Sequence, residues 1–195
     1  MNLDVYEVIK AAATKPFGFT PYYPGPGIGG HCIPIDPFYL TWKAREFGIH
    51  TRFIELAGEI NNAMPEYVVN KLVRALSDNG KAVKMAKVLC LGVSYKRNID
   101  DIRESPSLVI FELLNDWGVD LAYSDPHVPQ IRKNDHCNLD MASVNLDSAT
   151  IAGYDAVVLL TDHDKYDYNM IQKSAALIID TRGKFDFADP RVVRA

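Results

Sequence analysis

A cysteine near the start of the sequence lies in a setting that favours nucleophilic chemistry. Residues 22–32 read YYPGPGIGGHC, and a run so rich in glycine and proline cannot form a regular helix or strand. Asp36-Pro37 then reads as the N-cap and first position of a helix that runs to about Phe47. Because a helix N-terminus favours a nearby negative charge and glycines give access, we predict a reactive thiolate at Cys32, with Asp36 within reach.

Two other interpretations of Cys32 stay open on the residues alone. An isolated cysteine is more often a buried, inert thiol, and here it would lie beside an N-capping Asp36. A cysteine hydrolase would need a histidine base, yet the adjacent side chains of His31 and Cys32 point apart and no residue that orients the base is evident. Turnover of thioesters without a redox cofactor would support the hydrolase.

The other two cysteines lie in less favourable settings for reaction. Cys90 falls in the middle of an apolar run, so we expect it to be buried and inert. Cys137 falls in a polar stretch and should be exposed, but the nearby Asp135 opposes its ionisation. Cys32 is therefore predicted to be the reactive thiol of the three.

The glycine-rich loop also contains a formal match to the dinucleotide-binding fingerprint GxGxxG, at residues 25–30. That fingerprint functions only between a strand and a helix, whose N-terminus receives a pyrophosphate. Proline interrupts the preceding residues 20–24, and we expect the next helix only at Asp36. The one strand-to-helix opening that we predict, residues 91–95, holds a single glycine, so the sequence predicts no ordinary NAD site.

The first half of the sequence is predicted to be helical around this loop. Apolar residues between positions 3 and 12 suit a short amphipathic helix. Apolar residues also occur at every fourth position from Leu56 to Leu76, which predicts a second amphipathic helix that ends at Asn79-Gly80. Pro65 lies inside this helix, so we expect a kink or a break just before it. A helix of this length would connect domains or form a dimer seam, and a buried core helix is the alternative.

The second half alternates between apolar strands and helices. We predict strands at residues 88–92, 120–123, 156–160 and 177–179, and a helix capped by Ser105-Pro106. That alternation is typical of a parallel sheet covered on both faces, whose ligands bind beyond the carboxyl ends of the strands. The predicted fold class is therefore α/β. A helical central region with the long connecting helix spans residues 1–83, and a Rossmann-like parallel-sheet domain spans residues 84–195.

Composition narrows the class of protein. The 195 residues are 48% hydrophobic and 24% charged, which is ordinary for a soluble globular protein. A net charge of −4 argues against a nucleic-acid partner, and no apolar run approaches the roughly 20 residues that cross a bilayer. Neither a secretory signal nor a metal-ligand spacing among the three cysteines is evident. We therefore expect a cytoplasmic protein with no metal, no nucleic-acid partner and no membrane partner.

Two long motifs carry a resemblance to a known family. Residues 29–40, GGHCIPIDPFYL, are similar to the active-site signature of the UDP-glucose/GDP-mannose dehydrogenase family, and residues 92–106, GVSYKRNIDDIRESP, resemble its second signature. The resemblance covers the central and C-terminal parts of the family, and the NAD-binding domain would precede residue 1. The GGHCIPxDP form and residues 11–19 look most like the branch that oxidises UDP-N-acetylglucosamine. UDP-glucose and UDP-N-acetylmannosamine are the alternative substrates.

The resemblance implies a fragment of an NAD-dependent nucleotide-sugar 6-dehydrogenase. In the family, two successive hydride transfers from C6 of the sugar to NAD give a uronic acid, through a thiohemiacetal and a thioester on the cysteine. Cys32 would be that catalytic nucleophile, and Asp36 would help to position the hydrolytic water. The remaining assignments are substrate contacts at Tyr23, Gly25, Gly27, Gly29, Tyr95, Lys96 and Arg182, and cofactor contacts at Arg103 and Cys32.

Partners and activity follow from the same resemblance. We expect a UDP-sugar as the substrate and a homodimer that pairs through the long central helix. We also expect the chain alone to be inactive, because NAD would be bound mainly by the missing domain. A nucleotide-sugar-binding or dimerisation module that acts without catalysis is the alternative. Arg97-Asn98 stands where the family commonly has a Lys-Asp pair.

Overall fold

The computed structural model describes residues 3–133 and 138–195. Its helices are Val5–Ala12 (α1), Cys32–Glu46 (α2), Arg52–Asp78 (α3), Pro106–Asp116 (α4), Ser148–Ala152 (α5) and Tyr168–Ser174 (α6). Its strands are Lys87–Leu91 (β1), Asp120–Ser124 (β2), Gln130–Ile131 (β3), Met141–Ala142 (β4), Ala156–Leu159 (β5), Ile178–Asp180 (β6) and Val192–Arg194 (β7). In chain order, three helices therefore come first, and the alternation of strands and helices begins at Lys87.

Five strands form one parallel sheet in the order β2-β1-β5-β6-β7, and β3 and β4 form a separate antiparallel pair. The predicted α/β class is confirmed. From β1 the chain goes first to β2 on one side and later to β5 on the other side. Such a change of direction opens a crevice beyond the carboxyl ends of the two neighbouring strands, where ligands of these sheets bind. In this sheet the crevice lies at the ends of β1 and β5.

Alternate side chains of β1 enter two different cores. Val88 and Cys90 pack with residues of α3 and α4 on one face of the sheet, whereas Leu89 and Leu91 pack with residues of α5 and α6 on the other. All four side chains are fully buried. The continuous apolar run of this strand is therefore explained by helices on both faces, as is usual for a parallel sheet.

The long helix α3 has two different environments along its length. Its C-terminal half is core, since Val68, Leu72 and Leu76 are at most 1% exposed, whereas Leu56 is 51% exposed. Leu72 and Leu76 thus belong to the α/β core and cannot form a dimer seam. The helix is continuous through Pro65, so the predicted break is wrong.

A local contact accompanies that continuity. Pro65 has no N–H to donate to the carbonyl of Asn61, one turn earlier. That turn of α3 lies against the glycine-rich loop, where the Asn61 side chain accepts the backbone N–H of Ile28 at 2.8 Å. The proline therefore falls where the helix supports a neighbouring loop.

Two details of the first helices differ from the prediction. Helix α2 begins at Cys32, with His31 as its N-cap residue, so Asp36 lies inside the helix and is not its cap. The earlier start is possible because Pro34 falls in the first turn, where backbone N–H groups have no intrahelical acceptor anyway. In α1 the predicted apolar face is exposed at Val5 and Val8, and the buried residue is Tyr6.

Two further expectations concern the membrane and the third cysteine. Within the two described ranges, no helix combines the length and the apolarity that a membrane span requires. Cys137, which we expect to be exposed, lies between those ranges and so outside the described residues.

Candidate functional site

The loops after β1 and β5 pack directly against each other. Gly92 directly follows β1 with φ +84°, and a Cβ there would lie 2.5 Å from the Thr161 Cβ, so only glycine fits. The Thr161 hydroxyl donates to the carbonyl of Ser94 at 2.6 Å. These contacts make the two strand ends the floor of the crevice between β1 and β5.

The loop after β1 carries Tyr95 and Lys96 beyond the carboxyl end of that strand. Tyr95 is half-buried and Lys96 is exposed. Among the described residues, the Lys96 ammonium has no hydrogen bond and no ion pair, whereas the neighbouring Arg97 pairs with Asp164 of the β5 loop. An unpaired cation at the ends of parallel strands can receive an anionic ligand.

A buried polar network lies beneath this loop, and no motif in the sequence reveals it. His163 and Asp125 are at most 4% exposed, and His163 Nε2 lies 3.1 Å from Asp125 Oδ2 and 3.2 Å from the Ser94 hydroxyl oxygen. Burial alone would raise the pKa of Asp125, but hydrogen bonds from His163 and from backbone amides, including that of Val93, bring its pKa below the usual value. The network ties the ends of β1, β2 and β5 together.

The glycine-rich loop docks onto the same strand ends. The N–H of Gly30 donates to the carbonyl of Arg103 at 3.1 Å. A Cβ on Gly29 would lie 2.7 Å from the Tyr95 Cβ, and a Cβ on Gly30 would lie 2.9 Å from the Tyr95 ring. The structure therefore brings Gly29, Tyr95 and Arg103 together, all three of which are predicted members of one site.

Arg182 joins this site from the end of β6. A Cβ on Gly25 would lie 2.6 Å from one of its terminal nitrogens, which places the guanidinium against the loop backbone. The Arg182 Nε donates to the carbonyl of Leu160 at 2.6 Å. Burial lowers the pKa of Arg182, and Asp162 is the largest of the groups that oppose this shift. Gly27 has a different neighbour, the ring of Pro106.

Tyr6 holds the glycine-rich loop and the β6 end together, and the sequence patterns do not single it out. Its hydroxyl lies 2.9 Å from the carbonyl of Thr181 and 3.3 Å from that of Pro24. Its ring stacks on Tyr23 with 6.1 Å between centroids and 11° between planes. Desolvation by burial raises the pKa of Tyr6 to about 12. Tyr23 itself is 49% exposed, so part of its ring is open to a ligand.

Cys32 and Asp36 lie in the first turns of α2. Both residues are exposed. Because they are four positions apart, they lie on one face of the helix, with about 5–6 Å between their Cβ atoms. No hydrogen bond or ion pair among the described residues links either of them to Lys96 or Arg182. Their connection to the strand-end loops runs through Gly29 and Gly30. Cys90, by contrast, is buried as predicted.

Arg103 is held locally. Its guanidinium makes three bonds of 2.6–3.0 Å to the carboxylate of Asp101, which raise the pKa of the arginine. It lines a cleft of about 340 Å³ between α2 and α4, together with Gly30, His31 and Leu108. The predicted cofactor contact therefore faces a cleft on the α2 side of the glycine-rich loop.

The described residues do not fit a complete dinucleotide site. Helix α2 begins two residues after Gly30, so the expected gap before the next helix is wrong. Over residues 3–24, however, no strand leads into the glycine-rich loop, and the opening after β1 has the single glycine Gly92. In residues 3–133 and 138–195, no group of three His, Cys, Asp or Glu side chains is arranged to hold a metal ion.

Known proteins are similar to this chain over nearly all of its length. The model of the UDP-glucose/GDP-mannose dehydrogenase family, UDP binding domain, matches residues 89–187, and the central-domain model of the same family matches residues 1–63. The UDP-N-acetyl-D-mannosamine dehydrogenase of Methanococcus maripaludis is 34% identical, and the UDP-N-acetyl-D-glucosamine 6-dehydrogenase of Pseudomonas aeruginosa is 32% identical. Each alignment covers 85% of this chain, but only 35% and 38% of those relatives.

A solved structure has the same fold. The UDP-D-ManNAc dehydrogenase from Pyrococcus horikoshii aligns with a TM-score of 0.80 at 29% identity, over 98% of this chain and 43% of that one. The chain therefore spans less than half the length of these relatives.

Proposed function

The chain belongs to the UDP-glucose/GDP-mannose dehydrogenase family, and we propose that it is the substrate-binding and cysteine-bearing part of an NAD-dependent UDP-sugar 6-dehydrogenase. One observation carries the proposal. The glycine-rich loop that leads into Cys32 packs against the strand-end loops that hold Tyr95 and Arg182. A nucleotide-sugar that spans these loops would reach from the crevice to the cysteine.

Charge supports a diphosphate in the crevice. Lys96 offers an ammonium that is unpaired among the described residues, at the end of β1, and Arg182 offers a guanidinium at the end of β6. A single cationic donor to a phosphate oxygen contributes about 1.5–3 kcal/mol. Tyr95 and Tyr23 provide ring surface beside these cations for the uracil, the ribose or the sugar.

The proposed chemistry of this chain centres on the Cys32 thiolate. Its sulfur would add to the C6 aldehyde of the bound sugar, so that a C–S bond forms and the carbonyl oxygen takes a proton to give a thiohemiacetal. After oxidation of that carbon to a thioester, water would add to it. The C–S bond would then break, releasing a carboxylate and the Cys32 thiol. Asp36, on the same face of α2, would orient that water.

NAD would supply the hydride acceptor for both oxidations. The described residues lack the strand-and-glycine unit that binds its pyrophosphate. We propose that it binds mainly to a part of the relatives' length that this chain does not cover, so that the chain alone is inactive. Arg103, at the α2–α4 cleft, would contribute from this chain.

The choice of sugar rests on the motifs and the relatives. We propose a UDP-N-acetylhexosamine, with the gluco epimer first and the manno epimer as its rival. The relatives named above include one protein described for each of these sugars. Initial rates with the two UDP-sugars, measured on the chain together with an NAD-binding partner domain, would separate them.

Calorimetric titration with UDP tests the binding proposal. Lys96→Ala should weaken UDP binding roughly tenfold or more, because a charge-assisted bond to a phosphate is lost. Lys84→Ala is the matched control, since Lys84 is also exposed but precedes β1, at the amino end of that strand. Equal affinity in both variants would show that the diphosphate does not bind at the end of β1.

A further inference from the structure

The loop that carries Lys96 is held from below by a buried histidine. His163 is 0% exposed, and its Nδ1 accepts the backbone N–H of Asn98 at 2.9 Å. A backbone N–H can only donate, so Nδ1 carries no hydrogen and Nε2 does. Nε2 therefore donates toward the Asp125 carboxylate at 3.1 Å, with the Ser94 hydroxyl at 3.2 Å. One ring thus connects a buried carboxylate to the backbone of an exposed loop.

A second bond from the same cluster reaches the loop on the other side of Arg97. The Ser94 hydroxyl donates to the carbonyl of Lys96 at 3.0 Å. The carbonyl of Lys96 and the amide of Asn98 are therefore both anchored to the cluster formed by Ser94, Asp125 and His163, which we term the His163 cluster. Between these anchors the loop has little freedom to change shape.

The backbone conformation at Asn98 is one that such anchors would stabilise. Its φ is +61°, in the left-handed region that glycine adopts freely and that asparagine tolerates better than most other residues. The Asn98 side chain adds two bonds to Asp164, with its amide donating at 2.6 Å and its carbonyl accepting at 3.0 Å. These contacts all favour the observed conformation, and the one to Nδ1 of His163 has a buried acceptor.

We propose that His163 is a positioning residue, which acts through Asn98 and Lys96 to hold the loop in the shape that receives the diphosphate of a UDP-sugar. The inference rests on the proposed function, since it presupposes that Lys96 binds the diphosphate. A loop that is already ordered loses less conformational freedom on binding, so its ligand binds more tightly. Without the anchor, UDP binding must include the ordering of residues 96–98.

A pair of substitutions separates the two ends of the imidazole ring. In His163→Asn, the side-chain oxygen takes the place of Nδ1 and can still accept the N–H of Asn98, but contact with Asp125 is lost. In His163→Gln, the terminal amide takes the place of Nε2 and can still donate to Asp125, but the acceptor for Asn98 is lost. Both variants remove the ring that packs against His127 and Tyr166, so they lose similar core contacts.

The test is a double-mutant cycle of UDP affinity with Lys96→Ala, read by calorimetry beside thermal unfolding. We expect His163→Gln to weaken UDP binding about tenfold and His163→Asn about threefold or less. In the Lys96→Ala background, the effect of His163→Gln should fall below about threefold, because the loop then holds no cation to position. A general loss of structure would instead lower affinity equally in both backgrounds and equally in both variants, and that result would overturn the inference.

Ser94→Ala keeps the inference falsifiable if His163→Gln fails to fold. It deletes only the hydroxyl that holds the Lys96 carbonyl and should weaken UDP binding about fivefold, the equivalent of one hydrogen bond. Unchanged affinity in Ser94→Ala, with Lys96→Ala still weak, would overturn the positioning role and leave the proposed function standing. Absence of UDP binding by the unmodified chain would overturn both.

Discussion

Truncation of two leucines on one helix should destabilise the chain by very different amounts, because α3 is buried at one end and exposed at the other. Leu76 is 0% exposed and Leu56 is 51% exposed. Full burial of a leucine side chain stabilises by about 1.5–3 kcal/mol, and truncation to alanine in a packed core adds the cost of a cavity. Leu76→Ala should therefore lower the free energy of unfolding by about 3–4 kcal/mol. At protein concentrations where the chain is monomeric, Leu56→Ala should lower it by about 1 kcal/mol or less.

Urea unfolding followed by circular dichroism measures both changes. The two substitutions change helix propensity by the same amount, so each serves as the control for the other. For a chain of this size, about 2–4 °C per kcal/mol predicts a melting temperature lower by roughly 6–16 °C for Leu76→Ala. Equal shifts in the two variants, or a larger shift for Leu56→Ala, would refute the assignment of the C-terminal half of α3 to the core.

Three further predictions concern reactivity, acid stability and assembly. Iodoacetamide should modify Cys32 well before Cys90, because Cys32 is exposed whereas burial raises the pKa of the Cys90 thiol. Peptide mass mapping measures both reactions, and faster modification of Cys90 would contradict its burial in the core. The pKa of Asp125 is depressed on folding, so its stabilisation is present above its unfolded value of about 3.9 and is lost as pH falls. In urea unfolding, Asp125→Asn should therefore lower the free energy of unfolding more at pH 7 than at pH 3. An equal loss of stability at the two pH values would contradict an ionised Asp125 in the folded chain. Light scattering should show a dimer. The substitution Leu56→Asp should dissociate it, whereas Leu72→Asp should unfold the chain, because Leu56 is exposed and Leu72 is buried. A 21.8 kDa species at micromolar concentration would contradict the dimer.

Local sequence signals are sufficient to predict the strand β1 and the start of the helix α4. The apolar run of β1 and the Ser105-Pro106 cap of α4 each depend on neighbouring residues only. The predicted start of α2 is wrong because Pro34 and Pro37 both suit a first helical turn, and a single sequence does not choose between them. The short strand β7 escapes prediction, because three residues give no periodicity to detect.

Contacts between residues that are far apart in the sequence could not be predicted from its local patterns. Asp125 and His163 are 38 residues apart and meet only because β2 and β5 flank β1. The contact of Tyr6 with Thr181 spans 175 residues and has no local signature. Both contacts follow from how the strands are ordered and how α1 docks, which no short motif encodes.

An NMR titration with UDP would locate the bound nucleotide on the chain. Amide resonances of the 195-residue chain, labelled with ¹⁵N, should shift for residues 95–98, 161–164 and 180–183, at the carboxyl ends of β1, β5 and β6. Residues 84–87 and 119–120, at the amino ends of β1 and β2, should not shift. Shifts confined to those amino ends, or to residues 25–30 alone, would show that UDP does not bind at the carboxyl ends of the strands.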